Sequence, residues 1–425
     1  MLIEFSTKNY ASFKNLTTLS AETGNRLSKF KATNTFYNKK PALLKDLLLF
    51  GPNGSGKSQL IKALGTLQNL ILQPTNTVTD ELDYNPFMFS EDTKGKNTYF
   101  SIKIEINQNI YEYQIDYNYQ KVTDESLIRK KGTKTSTIFI RHKNEVKTTN
   151  KLLKSSIPKL RENALFLFLA QSENDPDASH VFKWFAEDLM FINGYFRIPK
   201  EMLNLMNDQY LKQEMISFLS FADFNISDIK VRDIPVVIND HNSLNDDQVP
   251  KTTKELFTVH KIYDQNKVNS LGELPLSYES VGTRRLFYIV LAMIYAQTNG
   301  NEKTIVIDEF DDSLHFELAS ALVDIFNSKE NRNQFIITTH DIKLLDNNLR
   351  IDQIYLIDKD FHGISDIKSI FDFEDARNKG RRDVSFARRY LQGKFGALPV
   401  IDVDGLLDVL HTIHEKYGDI NGQKE

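Results

Sequence analysis

Apolar residues follow three rhythms along this chain, and each predicts a different element. Short unbroken runs form the first. Leu47-Leu-Leu-Phe50 halts at Gly51, and Thr304-Ile-Val-Ile-Asp308 ends on a carboxylate. Gln334-Phe-Ile-Ile-Thr-Thr339 and Gln353-Ile-Tyr-Leu-Ile357 have the same form. Such runs suit strands buried on both faces. Period-two alternation is the second rhythm. It runs through Tyr99–Ile106 and Ile110–Tyr117 on either side of Asn107-Gln-Asn109, which predicts an antiparallel hairpin. Leu2 to Phe13 alternates more weakly, as a strand and a turn. The third rhythm is helical spacing. It begins at Gln59-Leu-Ile-Lys-Ala-Leu64, returns over Thr283–Gln297 with Asn299-Gly300 as its stop, and returns again over Leu314–Phe326.

From about Asp124 to about Leu271 the texture changes. Helix-like stretches at Asn163–Gln171, His180–Ile192 and Glu201–Phe221 alternate with polar segments, of which Asn239–Val249 reads as a mobile loop. The expected organisation is an α/β head split in sequence: residues 1–123 as its first half, a mainly helical insert over 124–271, and residues 272–425 as its second half.

Composition narrows the function classes. The 425 residues are 40% hydrophobic and 26% charged, the balance of a soluble globular chain. Lys and Arg total 53 against 57 for Asp and Glu, a net charge of −4, which argues against a globally basic nucleic-acid glove. One local basic cluster stands out: Arg377, Lys379, Arg381, Arg382, Arg388, Arg389 and Lys394. It suits either a solvated face or a contact for nucleic acid or an acidic partner. There is no cysteine, hence no disulfide, thiolate metal site or Cys nucleophile. The apolar run Leu286–Ala296 is about half of what a membrane span needs. An acidic residue at position 4 stands where a signal peptide is positive. A soluble, cytoplasmic protein is expected.

The candidate chemistry starts where the first apolar run ends. Gly51-Pro-Asn53-Gly54-Ser55-Gly56-Lys57-Ser58 satisfies G-x-x-x-x-G-K-[ST] between a strand and a helix. Its glycines let backbone N–H groups close around a triphosphate, and the helix N-terminus adds its dipole. Lys57, expected in a solvent-facing loop, neutralises the β and γ phosphates of ATP, and the Ser58 hydroxyl ligates Mg²⁺. The strand ending in Asp308-Glu309 is the complement: Asp308 for the Mg²⁺ shell and Glu309 to polarise water. One strand later comes His340, in position to reach the γ-phosphate. Tyr278-Glu-Ser280-Val-Gly282-Thr-Arg-Arg285 precedes the Thr283 helix. Ser280 there is either a plain N-cap or a phosphate contact. His411-Thr-Ile-His-Glu415 matches no zinc motif and reads as a polar helix face.

Taken in order, these motifs resemble the ABC-type ATPase heads of SMC-like proteins. More narrowly, the chain resembles the AAA-type ATP-binding proteins of abortive-infection and other anti-phage operons, an OLD-like head without its Toprim domain. Asn9-Tyr-Ala-Ser-Phe-Lys14, Glu125-Ser-Leu127 and Arg389-Tyr-Leu-Gln-Gly-Lys-Phe-Gly396 extend the likeness over nearly the whole chain. Transporter heads carry Leu-Ser-Gly-Gly-Gln where this chain keeps only Ser280 and Gly282, and His315 stands where they have an Asp. A glutamine loop is not placed, the segment near Asn85-Pro-Phe87 being the nearest candidate.

The fold implied is an α/β P-loop NTPase: an ABC/SMC-like ATPase head with an antiparallel β-subdomain and a helical insert. The mechanism implied is a nucleotide sandwich, in which Ser280 and Gly282 of one copy complete the ATP·Mg²⁺ site of another, giving an ATP-dependent homo-oligomer. The function implied is a switch ATPase of anti-phage defence that controls a separately encoded effector, such as a RloB-like or Toprim nuclease. The segment after His340 is too short for a Toprim domain, so any nuclease activity is expected on another chain. The alternatives are a DNA-binding repair or chromosome-maintenance ATPase and a regulatory scaffold. Transporter coupling is disfavoured.

Overall fold

The structure, a computed structural model, describes residues 1–193, 198–222, 225–236, 251–300, 302–373, 385–396 and 402–417. A six-stranded sheet carries the short apolar runs in the order Leu189–Ile192, Thr304–Ile307, Gln334–Thr339, Asp46–Phe50, Ile354–Lys359 and Ser365–Ser369. The first five are mutually parallel, and the last turns back antiparallel. Alternate residues of each run enter different cores. Leu47, Leu49, Val306 and Ile336 face one cluster, with the helix Lys57–Leu72. Leu48, Phe50, Ile305, Ile307 and Ile337 face the other, with the helices Val281–Thr298 and Phe316–Phe326. Burial on both faces is why the runs show no polar alternation.

A seven-stranded antiparallel sheet forms the second layer. It includes Leu2–Lys8 and the hairpin Thr98–Ile106 and Asn109–Tyr117, which turns through Asn107 and Gln108 at positive φ. Its inward residues Phe5, Phe100, Ile102, Tyr113 and Ile115 join the core that holds the Lys57 helix.

The reading of 124–271 as mainly helical needs correction. Val122–Lys131, Lys134–His142 and Glu145–Thr148 are strands that extend the antiparallel sheet. A register shift between Leu127 and Ile128 breaks their alternation and hid it. The stretch read as a helix over His180–Ile192 divides. Pro176–Lys183 is helical, Trp184–Asp188 widens into a π-turn, and Leu189–Ile192 becomes the edge strand of the central sheet. Glu201–Phe221 is two helices, Lys200–Leu205 and Gln209–Phe221, the second capped by Asp208. Asp228–Val236, Lys251–Asp264 and Lys267–Pro275 form a separate three-stranded sheet. The loop read at Asn239–Val249, and Arg377, Lys379, Arg381 and Arg382 of the basic cluster, lie outside the described residues. Among the described residues no helix is long and apolar enough to cross a membrane. His411 pairs with Glu415 within the helix Val403–Tyr417 at 3.6 Å.

Candidate functional site

Three parallel strands deliver the site from their C-terminal ends: Asp46–Phe50, Thr304–Ile307 and Gln334–Thr339. The first runs into the glycine loop, which is tightly built. Gly51 is buried, and a Cβ there would run into the Ile357 carbonyl oxygen. Gly54 has φ +79° with open space around it. Gly56, at φ +116°, is the residue before the helix, and a Cβ there would collide with Ser365 Oγ and lie 2.9 Å from Ser12 Oγ. Asn53 is exposed on the loop. Among the described residues no side chain caps the helix Lys57–Leu72, which leaves its first amides as donors at the positive end of its dipole.

Lys57 lies not in a solvent-facing loop but at the first position of this helix, 8% exposed. Its ammonium donates to the carbonyl oxygens of Gly51 at 2.6 Å and Pro52 at 3.0 Å. Burial lowers its pKa, with Asp308, Asp311 and Glu309 pulling the other way. One cation therefore faces three carboxylates that the chain brings from some 250 residues away.

Ser58 Oγ donates to Asp308 Oδ1 at 3.1 Å. The same carboxylate oxygen accepts from Thr338 Oγ1 at 2.7 Å, and Thr338 Oγ1 accepts from the Glu309 amide at 2.7 Å. Glu309 sits at φ +52°, an uncommon conformation for a residue with a Cβ, and its side chain is exposed. Arg285 fixes this turn from the other side, its Nη1 donating to the Asp308 carbonyl at 2.9 Å and to the Glu309 carbonyl. His340 is half-exposed, its Nδ1 3.5 Å from Asp311 Oδ2. The Asp311 side chain is 6% exposed and accepts from the Asp341 amide at 3.2 Å, and among the described residues its Oδ1 has no hydrogen-bond partner.

Ser280 is the N-cap of the helix Val281–Thr298, accepting from the Thr283 amide at 3.1 Å. Its Oγ also lies 2.7 Å from Thr283 Oγ1, and among the described residues no hydrogen bond joins it to the glycine loop. Gly282 is buried, and the Ser313 carbonyl oxygen approaches so closely that a Cβ there would strike it. The turn is thus braced on the segment that follows Glu309, while Ser280, Tyr278 (77% exposed) and Val281 (49% exposed) face outward.

Several contributors went unread in the sequence. Thr338 and Asp311 sit in or beside quoted motifs, yet only the fold shows that one orients Asp308 and the other pairs with His340. Ser12 and Ser365 are further examples. Ser365 Oγ lies 2.6 Å from the Ser55 carbonyl oxygen and 2.8 Å from Ser12 Oγ, so the N-terminal turn props the glycine loop from beneath. Glu125 of the quoted Glu-Ser-Leu is structural. Its buried carboxylate accepts from the amides of Phe166 and Leu167 at a helix start, from Tyr113 Oη, and from Arg141.

Two buried polar atoms without partners among the described residues line this region, Ser55 Oγ in the loop and Asp311 Oδ1 beside Lys57 and His340. An orphaned donor and an orphaned acceptor flank a glycine cradle whose floor is backbone N–H. That donor set fits a polyphosphate with a hard divalent cation.

The family model described as "AAA domain, putative AbiEii toxin, Type IV TA system" matches residues 47–346. Solved structures of similar fold include the SMC head domain from Thermotoga maritima, at 15% identity and TM-score 0.40, covering 87% of this chain and 98% of that one. An SMC head bound to the C-terminal winged-helix domain of ScpA aligns at 11% identity and TM-score 0.42, over 89% and 99%. An SMC head with an extended coiled coil, bound to the C-terminal domain of ScpA derived from Pyrococcus furiosus, aligns at 11% and 0.40, over 87% and 96%. No protein of curated function matches the sequence.

Proposed function

The chain belongs to the AAA-domain family described for AbiEii-type toxins of type IV toxin–antitoxin systems, and from that membership we propose that it is an ATP-hydrolysing switch which closes as a homodimer around Mg²⁺·ATP. The observation that carries this reading is the junction of Ser58 and Asp308 at 3.1 Å beside the buried Lys57. A hydroxyl and a carboxylate meeting next to a phosphate cradle are the pair that holds Mg²⁺ in P-loop sites. Bound there, the cation would supply charge neutralisation of the phosphate oxygens. Lys57 would exchange the carbonyls of Gly51 and Pro52 for the β and γ phosphates. The Glu309 carboxylate, its backbone pinned by Thr338 and Arg285, would take a proton from the attacking water. His340, held near Asp311, would read the presence of the γ-phosphate.

Completion by a second copy is supported by Ser280. It stands exposed between Tyr278 and Val281 on a turn that lies close against Ser313, and among the described residues its hydroxyl bonds only within its own helix. ATP would then join two chains and hydrolysis would part them, so the output is conformational. The family's association with toxin–antitoxin and abortive-infection systems supports an anti-phage role, with the switch controlling a separately encoded effector such as a nuclease.

Glu309→Gln tests the reading. The amide keeps the shape of the carboxylate but accepts no proton, so turnover should fall about a hundredfold or more. Asp308 and Ser58 remain, so Mg²⁺·ATP should still bind, and light scattering should register a doubled mass on adding ATP. Wild-type turnover would move the base elsewhere. An inactive variant that never assembles would remove the dimer.

A further inference from the structure

Beside the glycine loop the surface carries aromatic rings that folding would ordinarily bury. Phe361 is 92% exposed and Phe89 76% exposed. Phe361 occupies the tight turn between the strands Ile354–Lys359 and Ser365–Ser369. That turn is firmly set. Asp360 Oδ1 accepts from the amides of His362 at 2.9 Å and Ile364 at 2.8 Å, and the Gly363 amide donates to the Asp360 carbonyl at 3.0 Å. Two residues past Gly363, Ser365 meets the Ser55 carbonyl, so the turn is fastened to the glycine loop itself. The His362 ring lies against that of Phe361, centroids 3.8 Å apart.

Phe89 reaches the same turn from another element. Gly363 has φ +78°, and a Cβ there would come within 3.0 Å of the Phe89 ring, so glycine is what allows the ring to lie over the turn. From behind, Phe89 packs edge-to-face on the buried Phe87 at 5.8 Å, and the Phe87 amide donates to Asn9 Oδ1 at 3.1 Å. The next residue, Ser90, accepts from Lys14 Nζ at 2.9 Å. The N-terminal turn that contributes Asn9 and Lys14 also contributes Ser12 to the support of Ser365. Three separate segments therefore converge at one rim of the phosphate cradle. Together they seat the Phe89 ring on the turn and carry Phe361, which meets the ring of its neighbour His362, out into water at the turn's tip.

We propose that Phe361 and Phe89 form the nucleobase platform of this site, stacking the base of the nucleoside triphosphate whose phosphates the glycine loop holds. The proposal rests on the P-loop reading above. Aromatic rings beside a phosphate cradle suit the one part of a nucleotide that is flat and apolar, and Phe89, already seated on the turn, loses little entropy on binding.

Calorimetric titration of the full chain with ATP and, separately, with inorganic tripolyphosphate, both with Mg²⁺, tests it. Phe361→Ala and Phe89→Ala should each weaken ATP binding by about 5- to 100-fold and leave tripolyphosphate binding unchanged. Phe361→Trp should retain ATP affinity. Both rings are exposed, so truncation leaves the fold intact. Unchanged ATP affinity in both alanine variants overturns the platform, as does an equal loss for ATP and tripolyphosphate. Wild-type protein that binds tripolyphosphate as tightly as ATP overturns the platform alone. Wild-type protein that binds neither overturns the P-loop reading and the platform with it.

Discussion

Lys57 is a buried cation that holds loop carbonyls while three carboxylates face it, which makes its replacement informative about both fold and ligand. Lys57→Ala removes the cradle's fixed counter-charge, so ATP affinity should fall at least about a hundredfold. Two hydrogen bonds to the loop are lost as well, at about 1 kcal/mol each, so melting should drop by a few degrees without loss of cooperativity. Calorimetry and thermal melting together check this, and unchanged affinity would remove Lys57 from the site. Asp46, at the far end of the strand that leads into the glycine loop, makes a separate prediction about pH. Burial pushes its carboxyl up to about 7, although Asn327 and Gln353 both donate to it. The folded state thus holds a proton more tightly than the unfolded chain. The associated stability is complete below the ordinary carboxylate pKa and is lost as pH rises through about 7. Asp46→Asn cannot titrate, so the wild type's advantage in melting temperature over the variant should shrink between pH 5 and pH 8. An advantage that stays constant over that range would show that Asp46 ionises normally.

Among the elements, the glycine loop is the one whose backbone decides function. Gly56→Ala demands φ +116° of a residue with a Cβ and drives that Cβ into Ser365 Oγ. The loop should shift, with a cost of about 2–3 kcal/mol and loss of nucleotide binding. Gly54→Ala carries only the penalty of φ +79°, since its surroundings are open, and should cost about 1 kcal/mol with weakened binding. Equal effects at the two positions in melting and titration would contradict the role given to Ser365. The loop, the acidic strand end and the parallel core strands were legible in the sequence, because each couples an unbroken apolar run to a chemically distinctive terminus. Glu125, Thr338 and Ser365 were not legible as partners, since each has a partner 29 or more positions away. The strands of 122–148 and 251–275 were missed for another reason. Register shifts at Leu127/Ile128 and Ile262/Tyr263 break their period, and charged and polar residues occupy much of their length, so the alternation fades. Leu189–Ile192 was drawn into the preceding helix because four apolar residues fit either period.

At the scale of the whole molecule, the proposed reading assigns the two halves of a nucleotide site to separate clusters of one chain. Lys57, Ser58, Asp308 and Glu309 form one cluster. Ser280 and Gly282 form another, braced on Ser313 and exposed at its tip. A twofold pair of chains would bring each cluster against its complement twice, the self-complementary arrangement of closed dimers. Mixing two inactive variants measures this directly. Ser280→Arg keeps an intact loop but blocks the surface that meets the other copy, and Lys57→Ala keeps that surface but loses the loop. Each alone should lack ATPase activity. An equal mixture should recover about a quarter of the wild-type rate, because half of randomly formed dimers are mixed and each mixed dimer holds one intact site. Absence of recovery at every mixing ratio, with both variants folded, would contradict the shared site and assign its completion to a single chain.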